Sequence, residues 1–455
     1  MRDTVRQAFT SFLTVPTVVI VAFVLLAFGS YTLEKANTGW LRPALSYMEA
    51  HIFGNPEATG TLLSTIASGV ITITSITFSL LLLALQQSAG SLTHQVFDQF
   101  LRRRSNQIYF GFFVGMTLYA LITLATVDPP FNPVLGASLA LVLVVVALYL
   151  LLLLIYSTIS QMRPTEILKT IHDHTLRARE RQLTLIGRTR RSSRLPEQGA
   201  IPVHARHDGF VLSIDLDAIA AGLRHVSAPV EIVFEVSIGS YVVYQDRIAE
   251  VRAERAGDVA RVASCVERST RLGRQRDLDN DPAYGIEQLA TIAWRSISTS
   301  QQNPAPGIAT INNLHDLLAR WARAEDDETQ EGRLPVVYPD NVMVRLFGAF
   351  ESLAVVASES MQSQVYAEIV RTFALVFDRL PLPDQGRATD LLLRTIPGLG
   401  DHILTTDLDD ALTSLTGALD RAGCLDVATA FRTARTELAQ SIGTLNSRST
   451  RVPAS

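Results

Sequence analysis

The chain has 455 residues, 47% of them hydrophobic, and a formal net charge of −4 at neutral pH. This length allows two or three domains, and the mild negative charge excludes the strongly basic balance typical of nucleic-acid-binding proteins. Two cysteines, Cys265 and Cys424, are too few for a disulfide framework.

Four apolar segments in the first third of the chain are long enough to cross a bilayer. They predict a transmembrane domain over residues 1–158, with helices at about 15–31, 61–86, 108–127 and 134–157. The first segment could instead be a cleaved signal peptide, but it is long for one and has no clean cleavage site, so we favour a retained helix. The second helix is expected to continue beyond the bilayer to about residue 101.

The second of these helices has hydroxyl side chains along one face. They recur at steps of three and four residues, which places them on one side of a helix. This hydroxyl face consists of Thr61, Thr65, Ser68, Thr72, Ser75 and Ser79, and the same step reaches Gln86. It predicts either a seam along which helices pack closely or the lining of a pore formed by several copies of the chain.

The arginines predict the orientation, because basic residues concentrate on the cytoplasmic side of membrane proteins. Arg2 and Arg6 precede the first helix, and Arg102 to Arg104 follow the second, whereas the 128–133 loop has no basic residue. Both termini are therefore expected in the cytoplasm, and the protein in a bacterial inner membrane.

The extension of the second helix has charged residues at helical spacing. His94, Asp98 and Arg102 follow one another at steps of four, so they share a face. A local hydrogen bond explains His94 and Asp98, but the set could also form a charged ring at the cytoplasmic mouth of a pore.

Residues 159–199 are expected to form a juxtamembrane helix and an arginine-rich linker. Seven arginines and one glutamate lie between Arg177 and Arg194. We favour a solvated linker, with contact to anionic inner-leaflet lipid as the alternative.

Residues 200–272 are predicted to form a small β module, since 210–214 and 230–236 alternate apolar and polar residues. The spacing of Gly239, Val242 and Ile248 resembles that of small barrel-sandwich modules that carry biotin or lipoate. No lysine lies at the hairpin, so we expect a structural barrel without a cofactor.

Residues 273–441 are predicted to form an α-helical cytoplasmic domain, in which Asp340 is a candidate N-cap. Residues 442–455 are expected to be a disordered tail. The predicted fold class is thus membrane α-helical with four transmembrane helices, followed by an α+β part.

Motifs for catalysis or metal binding are weak. The sequence has no phosphate-binding glycine loop with a lysine and no H-E-x-x-H or paired C-x-x-C motif. His172, Asp173 and His174 are adjacent, but neighbours on a helix point in different directions, so we favour a solvated helix over a metal site. We expect neither an enzyme nor a metal or other cofactor.

Several stretches resemble the domain-of-unknown-function 2254 family of predicted bacterial membrane proteins. They are L-L-S-T-I-A-S-G-V-I-T from Leu62, F-L-R-R-R-S-N-Q from Phe100, D-P-A-Y-G-I-E-Q-L from Asp281 and S-T-S-Q-Q-N-P from Ser298. The last block departs from the family pattern at Thr299, Ser300 and Asn303. The resemblance implies a membrane protein with a cytoplasmic domain and no particular reaction.

The sequence therefore favours a homo-oligomeric ion channel or transport pore lined by the second helix, with ions as the permeant species. The alternative is a membrane-anchored sensor or interaction scaffold that acts through its cytoplasmic domain. The expected partners are other copies of the chain and the lipid bilayer, not nucleic acid.

Overall fold

The structure is a computed structural model with two compact units, residues 1–163 and 164–455. It describes residues 13–36, 46–49, 53–91, 104–161, 164–224, 226, 229–253, 256–298, 303–322, 333–400 and 402–440. For residues 80–91, 158–161 and 256–258 it describes the backbone alone.

The first unit contains four long apolar helices. They are α1 (Thr14–Lys35), α2 (Pro56–Ser91), α3 (Arg104–Ala125) and α4 (Val134–Gln161). Each is long and apolar enough to cross a membrane, since about 20 residues suffice at about 1.5 Å per residue. The prediction of four helices long and apolar enough to cross a membrane is confirmed. Helix α2 is continuous to Ser91, and the rest of its predicted extension lies outside the described residues.

Two glycines of α3 allow α1 to approach closely. A Cβ atom on Gly111 would lie 2.9 Å from the Cα of Pro16, and one on Gly115 would lie 2.6 Å from the ring of Phe23. The two glycines are four residues apart and therefore on one face of α3, as in other small-residue contacts between membrane helices. The interface between α1 and α3 depends on the absence of side chains there.

Polar groups connect the ends of α1, α3 and α4. The Tyr119 hydroxyl donates a hydrogen bond to the carbonyl of Gly136 at 3.0 Å. The Glu34 carboxylate accepts one from the backbone N–H of Leu135 at 3.1 Å, which satisfies a first-turn donor of α4. These bonds fix the connection between α3 and α4 against the end of α1.

The second unit begins with α5 (Pro164–Gly187), whose buried face includes Leu168, Ile171 and Ala178. Residues 201–273 contribute six strands and two short helices to the part of the unit that the structure describes, and residues 336–337 contribute a seventh strand. They are β1 (Ile201–His204), β2 (Gly209–Ile214), α6 (Leu216–Leu223), β3 (Val230–Phe234), β4 (Tyr241–Val242), β5 (Arg247–Ala253), α7 (Ala256–Ser269), β6 (Thr270–Gly273) and β7 (Val336–Val337).

The predicted small barrel is not closed in the described residues. The strands form two open sheets with the orders β1-β5-β3-β7 and β4-β2-β6. Helix α6 begins at an N-cap aspartate, Asp215, whose carboxylate accepts bonds from two backbone N–H groups, and α7 packs Val259, Val262 and Val266 into the core. Helices α6 and α7 interrupt the succession of strands along the chain, and β3 pairs in parallel with the distant β7.

Seven helices account for most of the remaining described chain, and a 3₁₀ turn at Phe377–Arg379 separates two of them. They are α8 (Pro282–Ile297), α9 (Pro304–Trp321), α10 (Val342–Glu359), α11 (Ser363–Val376), α12 (Leu382–Leu399), α13 (Thr406–Arg421) and α14 (Leu425–Gln440). Four fully buried phenylalanines lie in this part: Phe350, Phe373, Phe377 and Phe431. The second unit is therefore mostly helical, with small mixed sheets.

Candidate functional site

The hydroxyl face lies on the outside of the first unit. The side chains of all six members, Thr61, Thr65, Ser68, Thr72, Ser75 and Ser79, are exposed in the protomer. Four residues on the other side of α2 are buried against the neighbouring helices: Leu63, Ile66, Ala67 and Val70. Helix α2 therefore presents its hydroxyl face outward, together with the exposed Ile71 and Ile76, and packs other apolar side chains against its own chain.

Four of the six hydroxyls donate to the backbone of their own helix. Thr61, Thr65, Thr72 and Ser79 each bond the carbonyl four residues earlier, at 2.8 to 3.0 Å. The hydroxyls of Ser68 and Ser75 have no hydrogen-bond partner among the described residues. The bonded hydroxyls keep free lone pairs, so they can still accept bonds from water or another chain.

A shallow open depression lies in the middle of this face. It is lined by Ser64, Thr65, Ser68, Gly69, Thr72 and Ile73. A Cβ atom on Gly69 would meet no atom within 4 Å, so the surface at Gly69 is free to contact another helix. The depression contains no ionisable side chain.

The other predicted pore residues cannot be placed. Gln86 lies in α2, but its side chain is not described. His94, Asp98 and Arg102, the predicted cytoplasmic mouth, lie outside the described residues.

The arginines of the juxtamembrane stretch make contacts inside the second unit. The guanidinium of Arg179 pairs with Asp340, that of Arg188 with Asp217 and that of Arg190 with Glu231. The stretch is helical through Gly187. These side chains are structural links, which the spacing of arginines along the sequence did not indicate.

The two neighbouring histidines contact different parts of the unit. Nε2 of His172 lies 2.9 Å from a carboxylate oxygen of Asp316, and Nδ1 of His174 lies 2.7 Å from one of Asp279. No group of three His, Cys, Asp or Glu side chains that could hold a metal ion occurs in the described residues. Each histidine instead joins α5 to a separate carboxylate.

The D-P-A-Y-G block has a structural role at the start of α8. Asp281 is buried, accepts a bond from the backbone N–H of Tyr284 and pairs with Arg276 at 2.7 Å. Burial raises the pKa of its carboxyl, and the Arg276 guanidinium opposes that rise. The carboxylate also fills the space where a side chain at Gly239 would lie, so this turn, with φ +89°, requires glycine.

Comparison with known proteins assigns this architecture to a class of predicted membrane proteins. The model of the family described as Predicted membrane protein (DUF2254) matches residues 10–372. The chain belongs to this family, as the resemblance of its motifs indicated.

Two mycobacterial relatives are similar to the chain. They are the uncharacterized proteins Rv1290c of Mycobacterium tuberculosis and Mb1321c of Mycobacterium bovis, each 24% identical over 338 residues, which is 69% of this chain. The chain spans 64% of the length of these curated relatives. No solved structure matches the chain.

Proposed function

We propose that the protein is a homo-oligomeric membrane channel or transport pore, in which the hydroxyl faces of several α2 helices surround a shared polar path. The observation that supports this proposal is that α2 packs several apolar side chains against its own chain and leaves the whole hydroxyl face exposed. Lipid acyl chains offer no hydrogen-bond partners. Contact with water, ions or another copy of the chain therefore stabilises this hydroxyl surface more than contact with lipid does.

The length of the hydroxyl face fits a path across the membrane. From Thr61 to Ser79 is 18 residue steps, or about 27 Å at the rise of an α-helix, close to the hydrocarbon thickness of about 30 Å. Interhelical hydrogen bonds in membranes contribute only about 0.6 kcal/mol on average. Six hydroxyls in line are therefore poorly explained by stability alone.

The permeant species in this proposal is a small hydrated ion. The described side chains of the hydroxyl face are uncharged. Their oxygens can replace water molecules around an ion of either charge, so this face does not select cations over anions. Charge selection would then fall to the predicted mouth at His94, Asp98 and Arg102.

The proposed setting is a bacterial inner membrane with both termini in the cytoplasm. The distribution of arginines around the four helices supports it. The predicted contact of Arg177 to Arg194 with anionic lipid stays a prediction, and the internal ion pairs of Arg179, Arg188 and Arg190 favour a structural role for those three side chains.

Cross-linking in native membranes tests the oligomer. Single cysteines at Ser68, Thr72 and Ser75, in a background without Cys265 and Cys424, should form disulfides between copies on mild oxidation. Cysteines at Val145 and Leu152 of α4, which are 68% and 65% exposed, are the matched controls and should stay monomeric. Monomers at all five positions, or equal cross-linking at all five, would contradict the proposal.

A second candidate function is a membrane-anchored sensor or scaffold that acts through the second unit. The observation in its favour is that four hydroxyls already donate to their own backbone, so lipid could cover them at modest cost. In that case the α2 cysteines would behave like the α4 controls, and substitutions along α2 would leave the protein's cellular role unchanged.

A further inference from the structure

A groove with a volume of about 620 Å³ lies between α8 and α10 in the second unit. Small side chains, including Ala290, Ala349 and Ser352, line most of it, and Glu287 contributes one carboxylate, which pairs with Arg276. A Cβ atom on Gly348 would meet nothing within 4 Å, so the space above this residue is open. The volume falls within the range of small-molecule sites, about 300–1,000 Å³.

One end of the groove offers a flat aromatic surface. Trp294 lines it from α8, and 49% of this side chain is exposed. A tryptophan on a rigid helix presents a large planar surface at low entropic cost, and such residues are enriched where proteins bind partners and ligands. The exposed indole suits the face of a planar ring.

The other end is rich in hydrogen-bond donors. Arg345 lines the groove and a small adjoining polar pocket, which Arg276 also lines. Among the described residues, the guanidinium of Arg345 has no hydrogen-bond or ion-pair partner, whereas Arg276 pairs with Asp281 and Glu287. Arg345 is thus a positive charge available to an anion.

The start of α10 adds to this positive end. Its N-cap residue, Asn341, lines the adjoining pocket and makes no side-chain capping bond. The first turn of this 18-residue helix has a partial positive charge. The N–H of Val342 already donates to the Asp340 carboxylate, so an anion would use the remaining N–H groups of the turn. Arg345 is the fourth residue of α10, so both features act at the same end of the groove.

We propose that this groove binds a nucleoside phosphate, with the base against Trp294 and the phosphates at Arg345 and the first turn of α10. Ala283 and Trp294, which mark the two ends on α8, are 11 residues apart, or about 16 Å along the helix axis. This length accommodates an extended nucleoside polyphosphate. Thr291 and Ser352 between the ends can hydrogen-bond the sugar. The inference concerns the second unit alone and is independent of a path through the membrane.

Calorimetric titration of the detergent-purified full-length protein tests the proposal. The probes are ATP, GTP, CTP and UTP, with inorganic triphosphate as the anion without a base. At least one nucleotide should bind saturably. Arg345→Gln should weaken that binding about tenfold or more, because a hydrogen bond to a charged group contributes about 1.5–3 kcal/mol.

Variants of the groove distinguish this site from others. Gly348→Leu fills the open space and should abolish binding, whereas Gly386→Leu, at another helical glycine with nothing within 4 Å, should not change it. Trp294→Leu should weaken nucleotide binding and leave triphosphate binding unchanged. The absence of saturable binding to the folded wild type, full binding by Gly348→Leu, or equal affinity for triphosphate and nucleotides would each overturn the proposal.

Discussion

Arg179 and Asp340 form a bidentate ion pair within the second unit. Nη1 of Arg179 donates to Oδ1 of Asp340 at 2.8 Å, and Nη2 donates to Oδ2 at 2.7 Å. The side chain of Arg179 is only 7% exposed. The pair joins α5, the first helix after the membrane helices, to the residues that precede α10.

We expect Arg179→Ala to destabilise the second unit by about 1.5–3 kcal/mol, because the variant loses hydrogen bonds between charged groups, while the remaining Asp340 carboxylate is 31% exposed and stays partly solvated. Thermal unfolding of the detergent-purified protein, followed by circular dichroism, measures the effect. Arg177→Ala is the control, since the described side-chain bond of Arg177 goes to the backbone carbonyl of Asp173 on its own helix. Equal melting temperatures for the two variants would contradict this role of Arg179.

Glu231 should make stability depend on pH. Burial disfavours its ionised form, but bonds from the Ser193 hydroxyl, two backbone N–H groups and Arg190 hold its pKa below the ordinary 4.5. Because the folded pKa is depressed, the stabilisation is complete above pH 4.5 and is lost as pH falls through the folded pKa.

Glu231→Gln should therefore lower the free energy of unfolding by about 3–5 kcal/mol at neutral pH, and the difference from wild type should shrink in acid. Denaturant titrations at several pH values measure this. Glu235→Gln, in which the lost carboxylate is 39% exposed, should cost about 0–1 kcal/mol. A pH-independent difference between Glu231→Gln and wild type would show that ionisation of Glu231 is not the cause.

The contact of Gly115 with Phe23 predicts sensitivity to added volume in the first unit. Gly115→Ala would place a methyl group within 2.6 Å of the Phe23 ring, and such overpacking costs about 1–3 kcal/mol. The variant should melt at a lower temperature in detergent than Gly29→Ala, whose new methyl meets nothing within 4 Å of the chain. If the two variants have the same melting temperature, α1 and α3 do not pack at this glycine.

Reporter fusions test the orientation. A phosphatase reporter active only outside the cytoplasm should be active when inserted in the 128–133 loop, because that loop has no basic residue, and inactive when inserted after Arg163. Activity at the second position and not the first would reverse the proposed topology.

The sequence indicated the parts of the fold that depend on local patterns. Four apolar runs of about 20 residues identified α1 to α4, because length and hydropathy alone determine which segments can span a membrane. Helix α8 begins at Pro282 with Asp281 as its N-cap, a combination typical of helix starts. Helix α10, expected to begin after Asp340, has Asn341 as its N-cap, while the Asp340 carboxylate accepts bonds from the N–H of Val342 and from Arg179.

Long-range pairings could not be predicted in this way. The parallel pairing of Ile232 with Val336 joins strands separated by about a hundred residues, and nothing in either local sequence identifies its partner. The same applies to Arg190, whose spacing suggested a solvated linker and whose contact with the buried Glu231 is visible only in the fold. The periodicity of Thr61 to Ser79 defined the hydroxyl face but not whether it faces inward or outward.

The most direct test of the proposed path is the reaction of single cysteines on α2 with a water-soluble thiol reagent, measured together with ion flux. In the background without Cys265 and Cys424, cysteines at Ser68, Thr72 and Ser75 should react faster than cysteines at Val145 and Leu152, and the reaction should alter ion flux into proteoliposomes. If all five cysteines resist the reagent and the proteoliposomes show no flux above protein-free liposomes, the hydroxyl face does not line a path.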